Sequence, residues 1–229
     1  QMLIADIDLE KINLSRLKSN CIANQMRYKE FRVVEFEYKS MAVGKLLMDI
    51  PKSPFVPIDR EQGKAMCDEA LNIQATALAK RLKHIQISRV AIGISGGLDS
   101  TLALIVCVKA FEKLGLDKSG IIAISMPCFG TSNRTRENAR RLATLLGVSF
   151  QEIDISQSVE SHFDDIGHSR EDYGVVYENA QARMRTMVLM DIANQKSAIV
   201  IGTGDLSEIA LGWATYNGDH ISMYSANSG

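Results

Sequence analysis

A chain of 229 residues is long enough for one domain with a full core and part of a second. Hydrophobic residues at 46% and charged residues at 23% exclude a disordered or low-complexity chain. With 26 basic and 27 acidic side chains the net charge is -1, which argues against a broadly basic nucleic-acid surface.

The longest apolar runs are about ten residues, too short to span a bilayer. The first residues, Gln1 to Asp6, show no basic stretch followed by an apolar one, so no secretory signal is expected. Cys21, Cys67, Cys107 and Cys128 form no CxxC pair, so a zinc site lacks spacing support. A reducing cytoplasm fits this cysteine usage, and Cys107, inside an apolar run, reads as buried filler.

In chain order, Ile4 to Leu9 reads as a short strand, followed by a charged stretch compatible with a helix and a second strand over Phe31 to Phe36. Three prolines, Pro51, Pro54 and Pro57, then mark a stiff linker, because a residue before proline is pushed towards extended geometry. Asp59 with Gln62 three residues on starts a helix that should run to about residue 83. Val90 to Ile94 is a buried-type strand, and Leu98 to about Leu114 a largely apolar helix. Ile121 to Met126 is a second buried strand, Thr135 to Leu146 a helix closed by Gly147, and Ser149 to Ile155 an alternating strand. A helix over about Tyr173 to Asn194, a strand over Ala198 to Gly202 and a helix from Leu206 complete the pattern. Strands alternating with helices predict an α/β fold, a Rossmann-like parallel sheet with helices on both faces.

The chemistry concentrates at Gly93-Ile94-Ser95-Gly96-Gly97-Leu98-Asp99-Ser100-Thr101, where a buried strand passes into a helix. Adjacent glycines let the backbone turn sharply, and their N–H groups, with those of the helix's first turn, form an anion cradle. Ser95 and Ser100 add hydroxyls. Asp99 would repel a phosphate unless it holds a divalent cation bound to it. The plainer alternative is a glycine turn with Asp99 or Ser100 capping the helix. There is no Gly-Lys-Ser/Thr and no G-x-G-x-x-G, so neither a Walker loop nor a dehydrogenase fingerprint is present. The string resembles the Ser-Gly-Gly-x-Asp-Ser loop of the ATP pyrophosphatases (adenine nucleotide alpha-hydrolase-like superfamily), whose members adenylate an oxygen and let a nitrogen or sulfur nucleophile displace AMP.

Three later segments point to a branch. Asn179 and Arg183, one helical turn apart, could grip a ribose, phosphate or carboxylate, or simply face solvent. In Gly202-Thr203-Gly204-Asp205-Leu206-Ser207-Glu208, Thr203 could reach a nucleotide and Glu208 a metal, although Asp205-x-x-Glu208 is also a capping box. Trp213, Ala214, Thr215 and Tyr216 place aromatics in a polar setting, where they could stack on a flat ring or pack. In this order after the loop, the segments resemble NAD synthetase, the glutamine-dependent long form.

That resemblance, strongest over residues 88–224, implies the following. Residues 1–40 would be the tail of a nitrilase-like glutaminase domain, 41–60 a linker and 61–229 a synthetase domain that is C-terminally incomplete. The reaction would amidate deamido-NAD to NAD through an adenylate, releasing AMP and pyrophosphate, with ammonia from glutamine or solution. Residues 93–100 and Thr203 would hold ATP. Asn179, Arg183, Glu208 and residues 213–216 would hold deamido-NAD, and Asp99 with Glu208 would hold Mg2+. No side-chain nucleophile is required. A homo-oligomer, a dimer or larger, is implied, with neither nucleic acid nor membrane as partner. The alternatives are another ATP pyrophosphatase, such as a tRNA-thiolating enzyme, or a nucleotide-binding fragment without turnover.

Overall fold

The computed structural model describes residues 2, 7–19, 32–37, 44, 52–53, 56–57, 59–218 and 220–228. Contacts divide the chain into two units, Gln1–Pro57 and Ile58–Gly229. In the first, helix α1 (Leu9–Lys18) is capped by Asp8, whose carboxylate accepts from the Lys11 N–H at 2.9 Å, and none of its residues is buried. The charged stretch is therefore helical over Leu9–Lys18, but neither flanking strand is found among the described residues. Ile7 and Asp8 join no strand among the described residues, Leu9 opens the helix, and residues 4–6 lie outside the described set. Asp8 there serves as a helix cap. Residues 32–36 carry no strand either; Val33 and Phe36 are each 80% exposed, and Phe31 lies outside the described residues, as does Cys21. In the proline-rich stretch the Val56 N–H donates to the Ser53 carbonyl at 3.1 Å, closing a turn.

The second unit opens with α2 (Arg60–Ile85), capped by Asp59 as expected, through bonds from the Glu61 and Gln62 N–H groups. There follow β1 (Val90–Gly93), α3 (Leu98–Leu114), a 3-10 turn at Lys118–Gly120, β2 (Ile121–Ser125) and α4 (Asn133–Leu146). Next come β3 (Ser149–Glu152), α5 (Ser156–Ile166), α6 (Val175–Lys196), β4 (Ile199–Asp205), α7 (Leu206–Leu211) and β5 (Tyr224–Asn227). Gly147 ends α4 at φ 71°, the left-handed closure expected of it. Two boundaries move for a visible reason: Ser132, not a later residue, caps α4, and Asp154 binds the Ser156 N–H to start α5, which cuts β3 short at Glu152. Helix α5 and strand β5 were not foreseen.

The five strands form one sheet in the order β3-β2-β1-β4-β5, every described pair parallel. Residues alternate between two cores, as the pleat requires. Val90, Ile92, Ile121, Ala123, Ile199 and Ile201 face the layer of α2, α3 and α4, around Leu78, Leu82, Leu104 and Phe111. Ala91, Ile122, Ile124 and Val200 face α5 and α6, around Val159, Phe163 and Ile192. With both faces covered, the inner strands β1, β2 and β4 are near-continuous apolar runs, which is why they were readable from sequence. Cys107 is filler in the first core, its thiol pushed up to about 12 by burial and so inert.

Candidate functional site

Strand β1 sits centrally. The chain leaves it through α3 to reach β2 on one side and returns later through α6 to reach β4 on the other. Such a reversal opens a crevice above the C-terminal ends of the strands, the usual ligand position in an open α/β sheet. A cavity of about 520 Å³ lies there, lined among others by Gly93, Ser95, Ser100, Ser125, Arg185 and Thr203. That volume suits a small-molecule ligand.

The loop from β1 into α3 is rigidly braced. The Ser100 hydroxyl accepts from the Ser95 N–H at 3.3 Å and donates to the Gly97 carbonyl at 3.2 Å, and Ser95 Oγ accepts from the Gly97 N–H at 3.2 Å. Gly96 has φ +78°, and a Cβ there would come within 2.9 Å of the Thr135 carbonyl, so only glycine fits. Gly97 is the N-cap of α3 and supplies no side chain, which leaves the helix's first N–H groups open to an anion. Neither Asp99 nor Ser100 caps the helix, so the plain capping alternative does not hold.

Of the residues expected to hold ATP, Gly93, Ile94, Ser95, Ser100 and Thr203 line the cavity. Gly96 and Gly97 shape the turn, while Leu98 is 86% exposed and Asp99 is also exposed. Asn227, at the end of β5, ties this edge together: its Nδ2 donates to the Asp99 and Thr203 carbonyls, both at 3.0 Å. Its Oδ1 is buried with no hydrogen-bond partner among the described residues.

The other predicted residues form a second cluster, outside the cavity lining. Buried Asn179 accepts the Tyr216 N–H at 2.8 Å, and Arg183 Nε donates to the Tyr216 carbonyl at 3.1 Å, its guanidinium 5.9 Å from the Tyr216 ring centre. Thr186 Oγ1 donates to the Gly218 carbonyl at 2.8 Å. Helix α6 thus holds the 213–218 segment through its backbone, while Trp213 and Tyr216 stay 79% and 70% exposed. Ala214 is exposed and Thr215 half-buried. Glu208 completes a capping box on α7: its Oε2 accepts from the Asp205 N–H at 3.0 Å and its own N–H donates to Asp205 Oδ1 at 2.8 Å. One oxygen of that carboxylate therefore serves the helix.

Sequence reasoning assigned no role to Ser125, Arg136, Arg185 or Asn227. Arg136 on α4 lines the cavity and binds Glu152 on β3, Nη2 to Oε1 at 2.6 Å, with Arg140 Nη2 3.6 Å from Oε2. The hydrogen bond from Arg136, reinforced by its charge, holds the Glu152 carboxyl below its ordinary value and raises the arginine. Nothing in the local sequence marks these residues, because the fold brings them together from separate elements.

Residues 70–224 match the family model described as NAD synthase. Over 99% of its length the chain is 42% identical to the glutamine-dependent NAD(+) synthetase of Mycobacterium tuberculosis, of which it covers 35%. Over 67% of its length it is 30% identical to the NH(3)-dependent NAD(+) synthetase of Methanococcus aeolicus, covering 59% of that protein. The chain thus spans about a third of the length of the long curated relatives it matches. Among solved structures, glutamine-dependent NAD+ synthetase from Acinetobacter baumannii, in complex with ADP, superposes with a TM-score of 0.65 at 28% identity, over 71% of this chain and 30% of that one. The NH3-dependent NAD synthetase from Campylobacter jejuni, with a nitrate ion, gives 0.63 at 26% identity, over 71% and 67%. With the strand order, the glycine loop at the switch point and these matches in agreement, the chain belongs to the NAD synthase family.

Proposed function

We propose that this chain is the amidating domain of a glutamine-dependent NAD(+) synthetase, with residues 1–40 the tail of a preceding glutaminase domain, 41–60 a linker and 61–229 the synthetase part. It converts deamido-NAD to NAD with ATP and with ammonia drawn from glutamine or solution. The observation that carries this reading is the braced, uncapped loop at Ser95–Ser100 opening onto a cavity at the sheet's switch point, in a chain of this family.

The chemistry follows from charge. A carboxylate oxygen must attack the α-phosphate of ATP, and both partners are anionic. The open N–H groups of the first turn of α3, with the Ser95 and Ser100 hydroxyls, receive the leaving pyrophosphate and stabilise its growing charge. Thr203 lines the cavity wall, which supports its reading as a nucleotide contact. The segment 213–216, held by Asn179 and Arg183, offers exposed aromatic faces to the deamido-NAD rings. Ammonia then displaces AMP from the adenylate. None of these steps needs a side-chain nucleophile.

Asp99 and Glu208 are the residues that would hold Mg2+. No cluster of three or more His, Cys, Asp or Glu that could hold a metal occurs among the described residues. Exposed Asp99 and the second oxygen of Glu208 suit an ion that keeps waters and takes its other ligands from substrate phosphates. When bound, the ion would neutralise phosphate charge. A homo-oligomer and a cytoplasmic setting accompany this reading, the latter supported by the free thiols of Cys67, Cys107 and Cys128. Among the described residues no helix is long and apolar enough to cross a membrane.

The test is pyrophosphate release from Mg-ATP in ammonium buffer, with and without deamido-NAD, alongside Asp99→Ala. Release that requires deamido-NAD and is lost in the variant is expected. ATP turnover indifferent to deamido-NAD would overturn the substrate assignment, and absence of ATP binding would overturn the loop assignment.

A further inference from the structure

The charged side chains lining the cavity are Arg136 and Arg185. Arg136 already has its counter-charge in Glu152. Arg185 does not: its Nε donates to the Met126 carbonyl at 3.2 Å, and it makes no ion pair among the described residues. A half-buried guanidinium seated on a backbone carbonyl, its terminal nitrogens left over, is a preorganised anion ligand.

Register shows where that anion would sit. Gly93 on β1 pairs with Ile124 on β2, and the Ile94 N–H donates to the Ile124 carbonyl at 2.9 Å. Ser125 and Met126 therefore run beside Ile94 and Ser95, about one strand spacing of 4.8 Å away. Ser125 is buried, lines the same cavity, and its hydroxyl makes no hydrogen bond among the described residues. Further along the wall, Pro127 and Phe129 are apolar and suit a base. Arg185 and Ser125 thus stand between the loop that suits pyrophosphate and the apolar wall.

We infer that Arg185, with Ser125 beside it, holds the α-phosphoryl group of the nucleotide, the phosphate that remains with adenosine when pyrophosphate leaves. This rests on the nucleotide reading above. When the carboxylate oxygen bonds to that phosphorus and the bond to pyrophosphate breaks, negative charge gathers on the phosphoryl oxygens that the guanidinium faces. Arg185 offers only donors, so it is a charge-stabilising residue and not a base.

The experiment is calorimetric binding of ATP, AMP, pyrophosphate and adenosine to the 229-residue chain as wild type, Arg185→Gln and Arg185→Lys, each checked by thermal melting. Arg185→Gln is expected to weaken AMP and ATP by about 10- to 100-fold, the range for one charge-assisted contact, while pyrophosphate and adenosine bind as before. Arg185→Lys, which keeps the charge and loses the fork, should recover part of the AMP affinity. Should the glutamine variant melt early, the lysine variant carries the test: AMP reduced, adenosine retained. Unchanged AMP binding, adenosine falling together with AMP, or loss confined to pyrophosphate would each overturn the inference and leave the nucleotide reading standing. A wild type that binds neither ATP nor AMP would overturn both.

Discussion

The loop at Ser95–Ser100 and the segment at Trp213–Gly218 both lie beyond the end of a strand of the same sheet, yet they are fixed in different ways. The loop is braced from within, by two serines and a glycine at φ +78° that belong to the loop itself. The segment is braced from outside, by Asn179, Arg183 and Thr186 of α6 gripping its backbone. An internally braced loop presents one arrangement of N–H groups and suits a ligand part that never varies, such as a phosphate. A segment hung from a neighbouring helix leaves its aromatic side chains exposed and can adjust to a larger ligand without disturbing the loop. Asn179 and Arg183, read from sequence as ligand contacts, also bind the backbone of the segment.

This contrast breaks hardest at Gly96. Gly96→Ala forces a Cβ towards the Thr135 carbonyl in a left-handed backbone. The expected cost is about 1–3 kcal/mol in stability, with ATP binding lost first; calorimetry and a melt check both. Wild-type ATP affinity in that variant would show that the loop does not form the site.

Asn179→Ala tests the outside brace. It removes the acceptor for the Tyr216 N–H and should cost about 1–2 kcal/mol. The KM for deamido-NAD should rise while that for ATP holds. Asn179→Asp keeps the acceptor and should rescue; equal damage from both substitutions would point to direct ligand contact by the amide instead.

Glu208→Gln separates two duties. Glutamine also serves at the third position of a capping box, so the melt should move little, while the Mg2+ concentration needed for half-maximal turnover should rise several-fold. An unchanged Mg2+ requirement would leave Glu208 as a cap alone.

The smallest effect concerns acid. Glu152 has a folded value below its ordinary 4.5, chiefly through its hydrogen bond from Arg136. Its contribution is complete above the ordinary value and fades as pH falls through the lowered one. Melting followed from pH 6 to pH 3 should show this component in wild type and lose it in Glu152→Gln, with β3 and α4 loosening beside the cavity.

What the sequence revealed and what it hid follow the same division. The three inner strands β1, β2 and β4 were legible because burial on both faces makes them largely apolar runs, edge strand β3 by its alternation, and the loop because its glycines and hydroxyls are contiguous. Helix α5 escaped notice: Ser156, Ser158 and Ser161 are weak helix formers, and only Val159 and Phe163, four apart, mark its buried face. Edge strand β5, Tyr224-Ser225-Ala226-Asn227, is too polar to read and is defined by docking on β4. Arg136 and Arg185 were unreadable for a topological reason, since a cation's importance depends on whether a carboxylate from another element meets it. Glu208 shows the opposite difficulty, one pattern with two meanings, of which the structure displays the cap.

The clamp at Asn227 has a consequence in time. Its amide bonds the carbonyl of Asp99 across 128 residues of chain, and that of Thr203 across 24. Contacts so distant in sequence close late, after the helices have formed, as does the β1–β4 pairing of Val90 with Ile199. The edge that presents the phosphate loop is therefore finished only when β5 docks, so a refolding chain should regain helix content well before it can grip a nucleotide. Acquisition of ligand affinity becomes a clock for the final step of folding.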